Sequence, residues 1–576
     1  SIIREVLPNC YIVAGGHITA TADVILAKTD VDICVVGDGE IAWLELLKYI
    51  EDSQFPKLKE MDLSHIVGLS FLKDEDIVFT GYGKQLDGSE LRLTNYDIIE
   101  TGLQDKKHWM KFFFTDIEDF SSIMRFVDND SIKNMDGSIL QLPTSKGCVA
   151  RCTFCQRYAR GYRKYDLDRL EAYSKEMKER YNIRAVHVTD ENFGSNVKQA
   201  IEFSEIMKKL GLYWSAGGVR CRTFSKDDYR ILKNNNCYYL KFGIESGSQK
   251  ILDVMGKVTT VEQNKNIIKW LPANGIDTCL QLVLGMPGET QETIEETMEF
   301  ANFYAQNSED TDPNRLGINF AQALPGTPLY EYARRKGFIG QSIDDEEKYL
   351  LQISDRDARD GESFINFTDY PKLLLEKWYF DMQNRTRKAY IDKWGLASYY
   401  NITDEAYGLA ILRNLRGSSI MRDSGYFAYP AKAVEEIQSM DHDKKESKNL
   451  DKNTAIGKSN PVKKIYTFMA NLIPPILFLF RKNMMQYVPI YYPQFFWRVR
   501  FFTIFLVLMN SVRKHGFRYG AEILLECLQW KTSMLFHTSK GRPLSQYLSL
   551  RKVVNKNILP AISTDNPSMV KLRKGR

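Results

Sequence analysis

Three cysteines within eight residues place the strongest constraint on what this chain can fold into. Cys148, Cys152 and Cys155 have the spacing C-x3-C-x2-C. Thiolates that close in sequence can hold one metal centre from a single loop. A 4Fe–4S cluster held by three cysteines keeps one iron open for a small molecule. Gly147 and Phe154, which precede the first and last cysteine, suit a tight loop around such a centre.

Two other interpretations of the cysteines stay open at this point. Free cysteine is one of the residue types most often buried in a core. Structural zinc normally takes four cysteine or histidine ligands. This stretch has a single C-x2-C pair, and the next histidine, His187, lies in an apolar run. The spacing therefore favours an iron–sulfur centre over zinc, and zinc over an inert core.

The stretch from Thr144 to Cys155 resembles the signature loop of the radical S-adenosylmethionine enzymes, CxxxCx(aromatic)C. The resemblance implies that Cys148, Cys152 and Cys155 hold a 4Fe–4S cluster. In that family the open iron binds the amino and carboxylate groups of S-adenosylmethionine. An electron from the cluster then cleaves the sulfonium and releases a 5′-deoxyadenosyl radical.

Composition excludes several other classes of protein. A length of 576 residues suggests about three or four domains. Hydrophobic residues make up 44% and charged residues 26%, which favours a globular chain. A net charge of +5 is too mild to indicate nucleic-acid binding. Nine cysteines are too few for a disulfide scaffold, and free thiolates predict a reducing cytoplasm.

Residues 1–80 show the rhythm of a doubly wound, Rossmann-like sheet. Two short apolar runs, 10–14 and 32–36, each end in glycines and have a helix-like stretch between them. Glycines after parallel strands let a ligand approach the backbone, although ordinary turns use them too. The pattern GGHxT followed by GDGE resembles the second half of the cobalamin-binding domain that precedes many radical S-adenosylmethionine domains. The resemblance implies that the cobalamin nucleotide tail is lined by Gly15, Gly16, Gly37 and Gly39.

Three expectations follow for this domain. Two short apolar runs, 67–71 and 76–80, predict a hairpin within residues 66–80. The chain starts at Ser1 without a charged leader and an apolar core, so we expect no signal peptide and a start inside the domain. No D-x-H-x-x-G motif occurs, because the stretch 62–68 has one residue too many. A histidine ligand to cobalt is therefore not predicted.

Residues 137–340 alternate between apolar runs and amphipathic helical stretches. The runs are 138–143, 185–189, 214–219, 238–244, 278–284 and 316–321. Six such units predict a partial or complete parallel βα barrel with its chemistry at the carboxyl ends of the strands.

The motifs ESGS, GMPGET and PGTPLY follow these strands in the order seen in cobalamin-associated radical S-adenosylmethionine enzymes. The resemblance implies contacts with the parts of S-adenosylmethionine. The methionine amino group would be contacted by Asp190, Glu191 and Asn192, and its carboxylate by Arg220. The ribose and methionine parts would be contacted by Glu245 and Ser246, and the adenine by Gly285 and Glu289. The alternatives are that the acidic side chains are merely solvated and that the glycine motifs are merely turns.

The remaining segments carry weaker signals. We expect a linker at 81–136, a helical cap at 341–440, a polar linker at 441–464 and an apolar, basic helical region at 465–576. The apolar runs of the last region are shorter than the roughly 20 residues that a membrane-spanning helix needs. A buried helix pair is favoured there over a helix lying in the membrane interface.

These patterns predict an α/β enzyme that binds a 4Fe–4S cluster, S-adenosylmethionine and cobalamin, and that methylates an unactivated carbon. Oxidative cyclisation or rearrangement is the alternative reaction. A non-catalytic cobalamin or iron–sulfur sensor or assembly protein is the alternative of another class. The expected partners are a small-molecule substrate, with a lipid-like one among the options, and a reductant of the flavodoxin or ferredoxin type. No nucleic acid is expected, and the predicted location is the cytoplasm, with peripheral membrane contact as an option.

Overall fold

A computed structural model of the chain describes residues 2–74, 76–102, 113–117, 136–156, 161–309, 311–354, 364–399, 401–403, 490, 501–536 and 570–572. The strands are β1 (Val13–Ala14), β2 (Ile33–Val35), β3 (Leu69–Lys73), β4 (Asp76–Phe79), β5 (Thr115–Asp116), β6 (Ser138–Leu142), β7 (Ser145–Gly147), β8 (Tyr162–Lys164), β9 (Ile183–Val188), β10 (Tyr213–Val219), β11 (Cys237–Phe242), β12 (Gln281–Leu284), β13 (Gly317–Phe320) and β14 (Val570–Leu572).

The α-helices follow the strands in alternation through the middle of the chain. They are α1 (Ile2–Val6), α2 (Ala22–Lys28), α3 (Gly39–Asp52), α4 (Asp97–Gly102), α5 (Leu167–Tyr181), α6 (Val197–Lys209), α7 (Lys226–Asn234), α8 (Gln249–Met255), α9 (Val261–Ala273), α10 (Gln291–Asn307), α11 (Pro328–Arg335), α12 (Ile343–Ser354), α13 (Lys372–Trp394), α14 (Phe501–His515) and α15 (Phe517–Phe536). Several begin at a side-chain cap, such as Asn196 for α6 and Thr290 for α10.

The amino-terminal sheet is mixed, with strand order β1-β2-β3-β4-β14. The predicted strand–helix–strand unit is present, since β1 and β2 are parallel and α2 lies between them. The predicted hairpin at 66–80 is also present as β3 and β4. The parallel pattern of a doubly wound sheet holds for β1 and β2, whereas β3 is antiparallel to both β2 and β4. The connection between β3 and β4 is too short to cross over the sheet, so β4 must run antiparallel.

All six predicted strands of the middle region form, and their ladders are parallel. One sheet has the order β11-β10-β9-β6-β5, where β5 is an antiparallel edge, and β12 pairs with β13 in a second sheet. Isolated bridges from Tyr239 to Asp277 and from Glu245 to Leu282 connect the two sheets. Among the described residues β5 and β13 are the two outer ends, so the strands form an open row and not a closed barrel.

One face of this row is covered by helices. Leu140 of β6, Val186 of β9 and Trp214 of β10 are fully buried in the largest core cluster, together with Phe203 of α6 and Ile268 of α9. Side chains alternate along a strand, so the intervening residues lie on the other face. The helices therefore support the sheet from one side and leave the other side for the site.

The predicted linker and cap regions are built into the structure in different ways. Tyr96 and Phe114 from the linker are buried in the largest core cluster. Helix α12 packs on α2 of the amino-terminal domain, and α13 packs on α10. Trp109, the segment 441–464 and the apolar run 472–480 lie outside the described residues.

The helices α14 and α15 form a hairpin that packs on α13. Leu373 of α13, Val507 of α14 and Ile523 of α15 are buried together. The apolar run 501–509 thus packs in part on α13, while Phe505, Phe517 and other apolar side chains of the hairpin remain exposed. No helix in the described part of the chain has both the length and the apolar character needed to cross a membrane.

Candidate functional site

The three cysteines lie in the connection of a short hairpin. Strand β7 follows β6 directly and pairs antiparallel with β8, and all three cysteines stand between these two strands. Gly147 ends β7 at a φ of +89°, a backbone conformation that glycine adopts without strain. Cys148 and Cys152 are half-buried and Cys155 is exposed. The hairpin therefore presents its thiols at the carboxyl end of β6.

Asp190 holds the base of this hairpin. Its Oδ1 accepts hydrogen bonds from the backbone N–H groups of Thr144 (2.7 Å) and Ser145 (2.9 Å). Its Oδ2 accepts from the hydroxyls of the same two residues, each at 2.6 Å. The carboxylate is buried, and its four hydrogen bonds leave little capacity for a ligand. Asp190, predicted to contact the cofactor, thus positions the hairpin in this structure.

Thr153, between the second and third cysteines, anchors the loop from the other side. Its N–H donates to the carbonyl of Met255 (2.8 Å) and its hydroxyl donates to that of Val254 (2.9 Å), both at the end of α8. Its carbonyl accepts from the N–H of Leu329 at the start of α11 (3.0 Å). Sequence reasoning missed this residue, because nothing in the local pattern indicates which distant helix ends it meets.

A group of charged side chains lies beside Cys152. Lys257 Nζ is 3.2 Å from Glu245 Oε1, and the two side chains are 10% and 15% exposed. Arg220 donates to the carbonyl of Lys257. Burial alone would lower the pKa of Lys257, but Glu245 and the nearby Cys152 thiol raise it. Arg220 and Glu245 were predicted site residues, and the structure brings them together with Lys257, which was not.

The three thiols are close enough to affect one another's ionisation. Cys155 has exposed surface, yet the protein around its thiol raises its pKa to about 11, and Cys152 and Cys148 add to the rise. Burial also raises the pKa of Cys152, while Lys257 and Arg220 oppose that rise. Glu191 acts on Cys155 as a nearby negative charge, so this predicted residue does lie at the cysteine loop.

The other predicted contacts of S-adenosylmethionine are almost completely buried. Asn192 Oδ1 has no hydrogen-bond partner among the described residues. Ser246 Oγ lies 3.1 Å from Thr297 Oγ1 and accepts from the N–H of Ser248, so it shapes its own turn. Gly285 has a φ of +86° and donates its N–H to Glu289.

The amino-terminal glycines divide into two kinds. A Cβ added to Gly15 or Gly16 would meet no atom within 4 Å, so that loop faces open space. A Cβ at Gly37 would lie 3.1 Å from the Tyr82 ring, and one at Gly39 would lie 3.2 Å from a methyl of Val35. Contacts within the domain are therefore enough to explain why Gly37 and Gly39 are glycines.

Asp38, between Gly37 and Gly39, connects the amino-terminal domain to the cysteine hairpin. Its carboxylate lies 2.7 Å from Lys146 Nζ in β7 and 2.9 Å from an Arg163 nitrogen in β8. Its side chain is 4% exposed. The two cations lower the pKa of Asp38 although burial opposes this. The second glycine loop therefore rests against the base of the cysteine hairpin.

The donor set fits an iron–sulfur cluster. Three thiols from one loop are soft ligands of the kind that such clusters take. No three histidine, cysteine or acidic side chains of the described residues converge on one point as ligands of a single ion. A cluster does not require such a point, because each thiolate binds a different iron. Some buried polar atoms have no hydrogen-bond partner among the described residues. They include Asn192 Oδ1, in the loop after β9, and Gln322 Nε2, in the loop after β13.

Comparisons with known proteins agree with this site. The model of the radical SAM superfamily matches residues 142–301. An uncharacterized methyltransferase, PH0819, from Pyrococcus horikoshii is 27% identical over 346 residues, which cover 58% of this chain and 65% of that protein. The anaerobic magnesium-protoporphyrin IX monomethyl ester cyclase of Cereibacter sphaeroides is 27% identical over the same share of this chain and 50% of its own length. The matches thus span between half and two thirds of these relatives.

Among solved structures, the cobalamin-dependent S-adenosylmethionine radical enzyme OxsB is similar at a TM-score of 0.45 and 14% identity, covering 98% of this chain and 71% of that one. A similarity of that size carries no argument about function. The family match instead coincides with the strands and the cysteine hairpin described above. Residues 142–301 of this chain are a radical S-adenosylmethionine domain.

Proposed function

We propose that this chain is a radical S-adenosylmethionine enzyme in which Cys148, Cys152 and Cys155 hold a 4Fe–4S cluster. When bound, the cluster supplies the electron that cleaves S-adenosylmethionine. The observation that carries the proposal is the cysteine hairpin itself, which Asp190 and Thr153 fix on opposite sides. A loop fixed in this way has its thiols positioned before the metal arrives, so less ordering remains for assembly.

The charged group beside Cys152 suits the amino-acid end of S-adenosylmethionine. Lys257 and Arg220 offer positive charge to its carboxylate, and Glu245 and Glu191 offer negative charge to its ammonium. Lys257 and Glu245 already form a partly desolvated pair, in which each charge is partly neutralised by its partner. A zwitterion can then bind with its charges matched, and neither protein charge loses its counter-ion.

The amino-terminal sheet is proposed to hold cobalamin at its carboxyl edge. The open loop at Gly15 and Gly16 provides backbone that a ligand can approach. The contact of Asp38 with Lys146 and Arg163 places that domain against the cysteine hairpin, where a methyl donor would be needed. Cobalamin and a cluster on neighbouring domains favour methyl transfer to an unactivated carbon.

The second candidate reaction is oxidative cyclisation. It is kept because a named cyclase is as similar to this chain as the named methyltransferase, at 27% identity each. The two reactions differ in the fate of the methyl group. With S-adenosylmethionine labelled in that group, methyl transfer puts label into the product, and cyclisation forms a product that lacks it and has lost hydrogen.

The assignment of the cysteines is tested by Cys152→Ala in the full chain, reconstituted without oxygen. We expect the variant to lose both the cluster absorbance and the release of 5′-deoxyadenosine after reduction. Cys10→Ala in the amino-terminal domain is the matched control and should keep both. A Cys152→Ala protein with a full complement of iron would contradict the ligand assignment. A wild-type protein with a cluster but no 5′-deoxyadenosine would favour the sensor or assembly role instead.

A further inference from the structure

The sheet face opposite the helices carries polar side chains in one row. Gln141 of β6 pairs in register with His187 of β9, and His187 pairs with Ser215 of β10. Their sequence neighbours Leu140 and Val186 point to the other face, where they are buried among helices. Residues that pair in register on parallel strands share a face. The three polar side chains therefore line the face that the helices leave uncovered.

Lys241 extends this row onto β11. Tyr239 pairs in register with Ser215, and Lys241 lies two residues further along the same strand, hence on the same face. Lys241 is half-buried. In the described part of the chain its ammonium forms no ion pair and no hydrogen bond. Its ammonium is therefore available to a negatively charged group of a ligand.

Ser215 connects His187 to Tyr238 through hydrogen bonds. The Tyr238 hydroxyl donates to Ser215 Oγ at 3.1 Å, and Ser215 Oγ lies 2.8 Å from His187 Nδ1. In the tautomer in which Ser215 donates to Nδ1, the imidazole proton is on Nε2. Burial lowers the pKa of His187, and the charge of Lys241 lowers it further, so the ring is neutral at pH 7. In that tautomer Nε2 is a donor with no partner on this chain of bonds.

The surroundings of the row suit a bound molecule. Gln141 is exposed although its strand lies between β5 and β9. Towards the amino ends of the strands, Ile139, Ala185 and Tyr213 form an apolar layer. Towards the carboxyl ends, β6 leads into the cysteine hairpin. The row thus lies between an apolar floor and the proposed radical site.

We propose that the polar row of Gln141, His187, Ser215 and Lys241 binds an anionic group, a carboxylate or a phosphate, of the enzyme's substrate. Lys241 supplies the positive charge, and His187 Nε2–H and the Gln141 amide supply hydrogen-bond donors. Of these donors Lys241 is the one that carries a full positive charge, so its loss should weaken the binding of an anion most. That the ligand is the substrate rests on the proposed function, whereas the anion site itself does not.

The site is tested by calorimetric titration of the full chain with inorganic phosphate and with malonate. We expect wild-type protein to bind at least one of them, more weakly as salt is raised. Lys241→Met should weaken that binding by about tenfold or more, as expected for loss of a charged donor. Lys241→Arg keeps the charge and should retain most of the affinity. Lys198→Met removes a lysine whose side chain is 85% exposed on α6, and should change nothing.

Each outcome separates the possibilities. Binding that is equal in wild type and Lys241→Met, or no binding of either anion by wild type, would overturn the anion site. If Lys241→Met does not fold, binding by Lys241→Arg together with weaker binding by His187→Phe still supports it, and unchanged binding by His187→Phe overturns it. Vesicles containing phosphatidate test a lipid as the source of the group. Binding to vesicles in a Lys241-dependent manner identifies a lipid headgroup and supports the same site.

The proposed function fails by a different result. A wild-type protein that binds phosphate or malonate but never releases 5′-deoxyadenosine retains the anion site and contradicts the radical reaction. A wild-type protein that releases 5′-deoxyadenosine but ignores both anions contradicts the anion site alone.

Discussion

The loops after β9 and β12 each bury an acid predicted to bind cofactor, and they hold these acids in opposite ways. Each carboxylate oxygen of Asp190 accepts two hydrogen bonds. Glu289 accepts one from Gly285 N–H through Oε2, while Oε1 is buried without a partner among the described residues. Burial raises the pKa of Glu289 to about 8. The fully bonded acid stabilises the fold, and the partly bonded acid keeps capacity for a ligand.

Asp38 is a third case in this comparison. Its side chain is 4% exposed, and two cations satisfy it together with the amide of Gln85. Its neighbours Gly37 and Gly39 were predicted from resemblance to line a cofactor, and this role stays a prediction. The structure gives the loop a separate function, which is to connect two domains through charge.

Removal of the Asp190 carboxylate should have the largest effect. Asp190→Ala leaves two backbone N–H groups and two hydroxyls at the hairpin base without their acceptor, at a cost of about 3 kcal/mol or more. We expect a lower urea midpoint and loss of iron after reconstitution. Asp190→Asn keeps one oxygen for the two N–H groups and should lie between. If Asp190→Ala kept both its stability and its iron, Asp190 would not be the structural acid that distinguishes it from Glu289.

Asp38→Asn should have the next largest effect. It leaves Lys146 and Arg163 partly buried with their main counter-charge removed, and we expect a loss of about 2–3 kcal/mol in the free energy of unfolding. Urea unfolding measures this loss. The control is Glu40→Gln, which removes a 40% exposed partner of Lys146 and should cost less than about 1 kcal/mol. Equal effects of the two variants would show that Asp38 is no special connection.

Glu289→Gln should have the smallest effect, and the effect should depend on pH. The pKa of Glu289 is about 8 in the folded chain against 4.5 for the ordinary group, so folding takes up a proton between those values. The stabilisation is complete below about pH 4.5 and is lost as pH rises towards 8. From about pH 6 to 8, wild type should therefore lose on the order of 2 kcal/mol relative to Glu289→Gln. Urea midpoints at both pH values measure it, and parallel pH profiles would show that Glu289 is not buried as an acid.

Much of the site's framework could be predicted from local pattern. The apolar runs predicted all six parallel strands, because a buried strand needs a run of apolar residues bounded by turns. The cysteine spacing predicted a tight loop, since ligands of one centre must be close. The sequence left open whether the barrel is partial or complete, and it did not indicate that β3 runs antiparallel to β2 or that β14 joins the same sheet. Which strand edges meet depends on contacts between segments far apart in the chain.

The assignment of individual side chains was less predictable. Resemblance placed Asp190 at the cofactor, but its partners Thr144 and Ser145 are 46 and 45 residues away, and only the fold shows that they use up its carboxylate. Lys257 follows the end of α8 and carries no signal of its own. It joins the site because α8 brings it back to Glu245 and Cys152.

The sequence by itself determined the chemistry that this protein can hold: three thiols in one loop, strands that end in polar and glycine residues, and a domain whose glycines follow its strands. These are properties of neighbouring residues, and spacing along the chain is enough to specify them. The tertiary structure alone decided which groups share a site, including Thr153 beneath the cysteines and Lys241 in the polar row. Strand register and helix packing bring these residues together. Both depend on hydrogen bonds and burial between segments that are far apart in the chain.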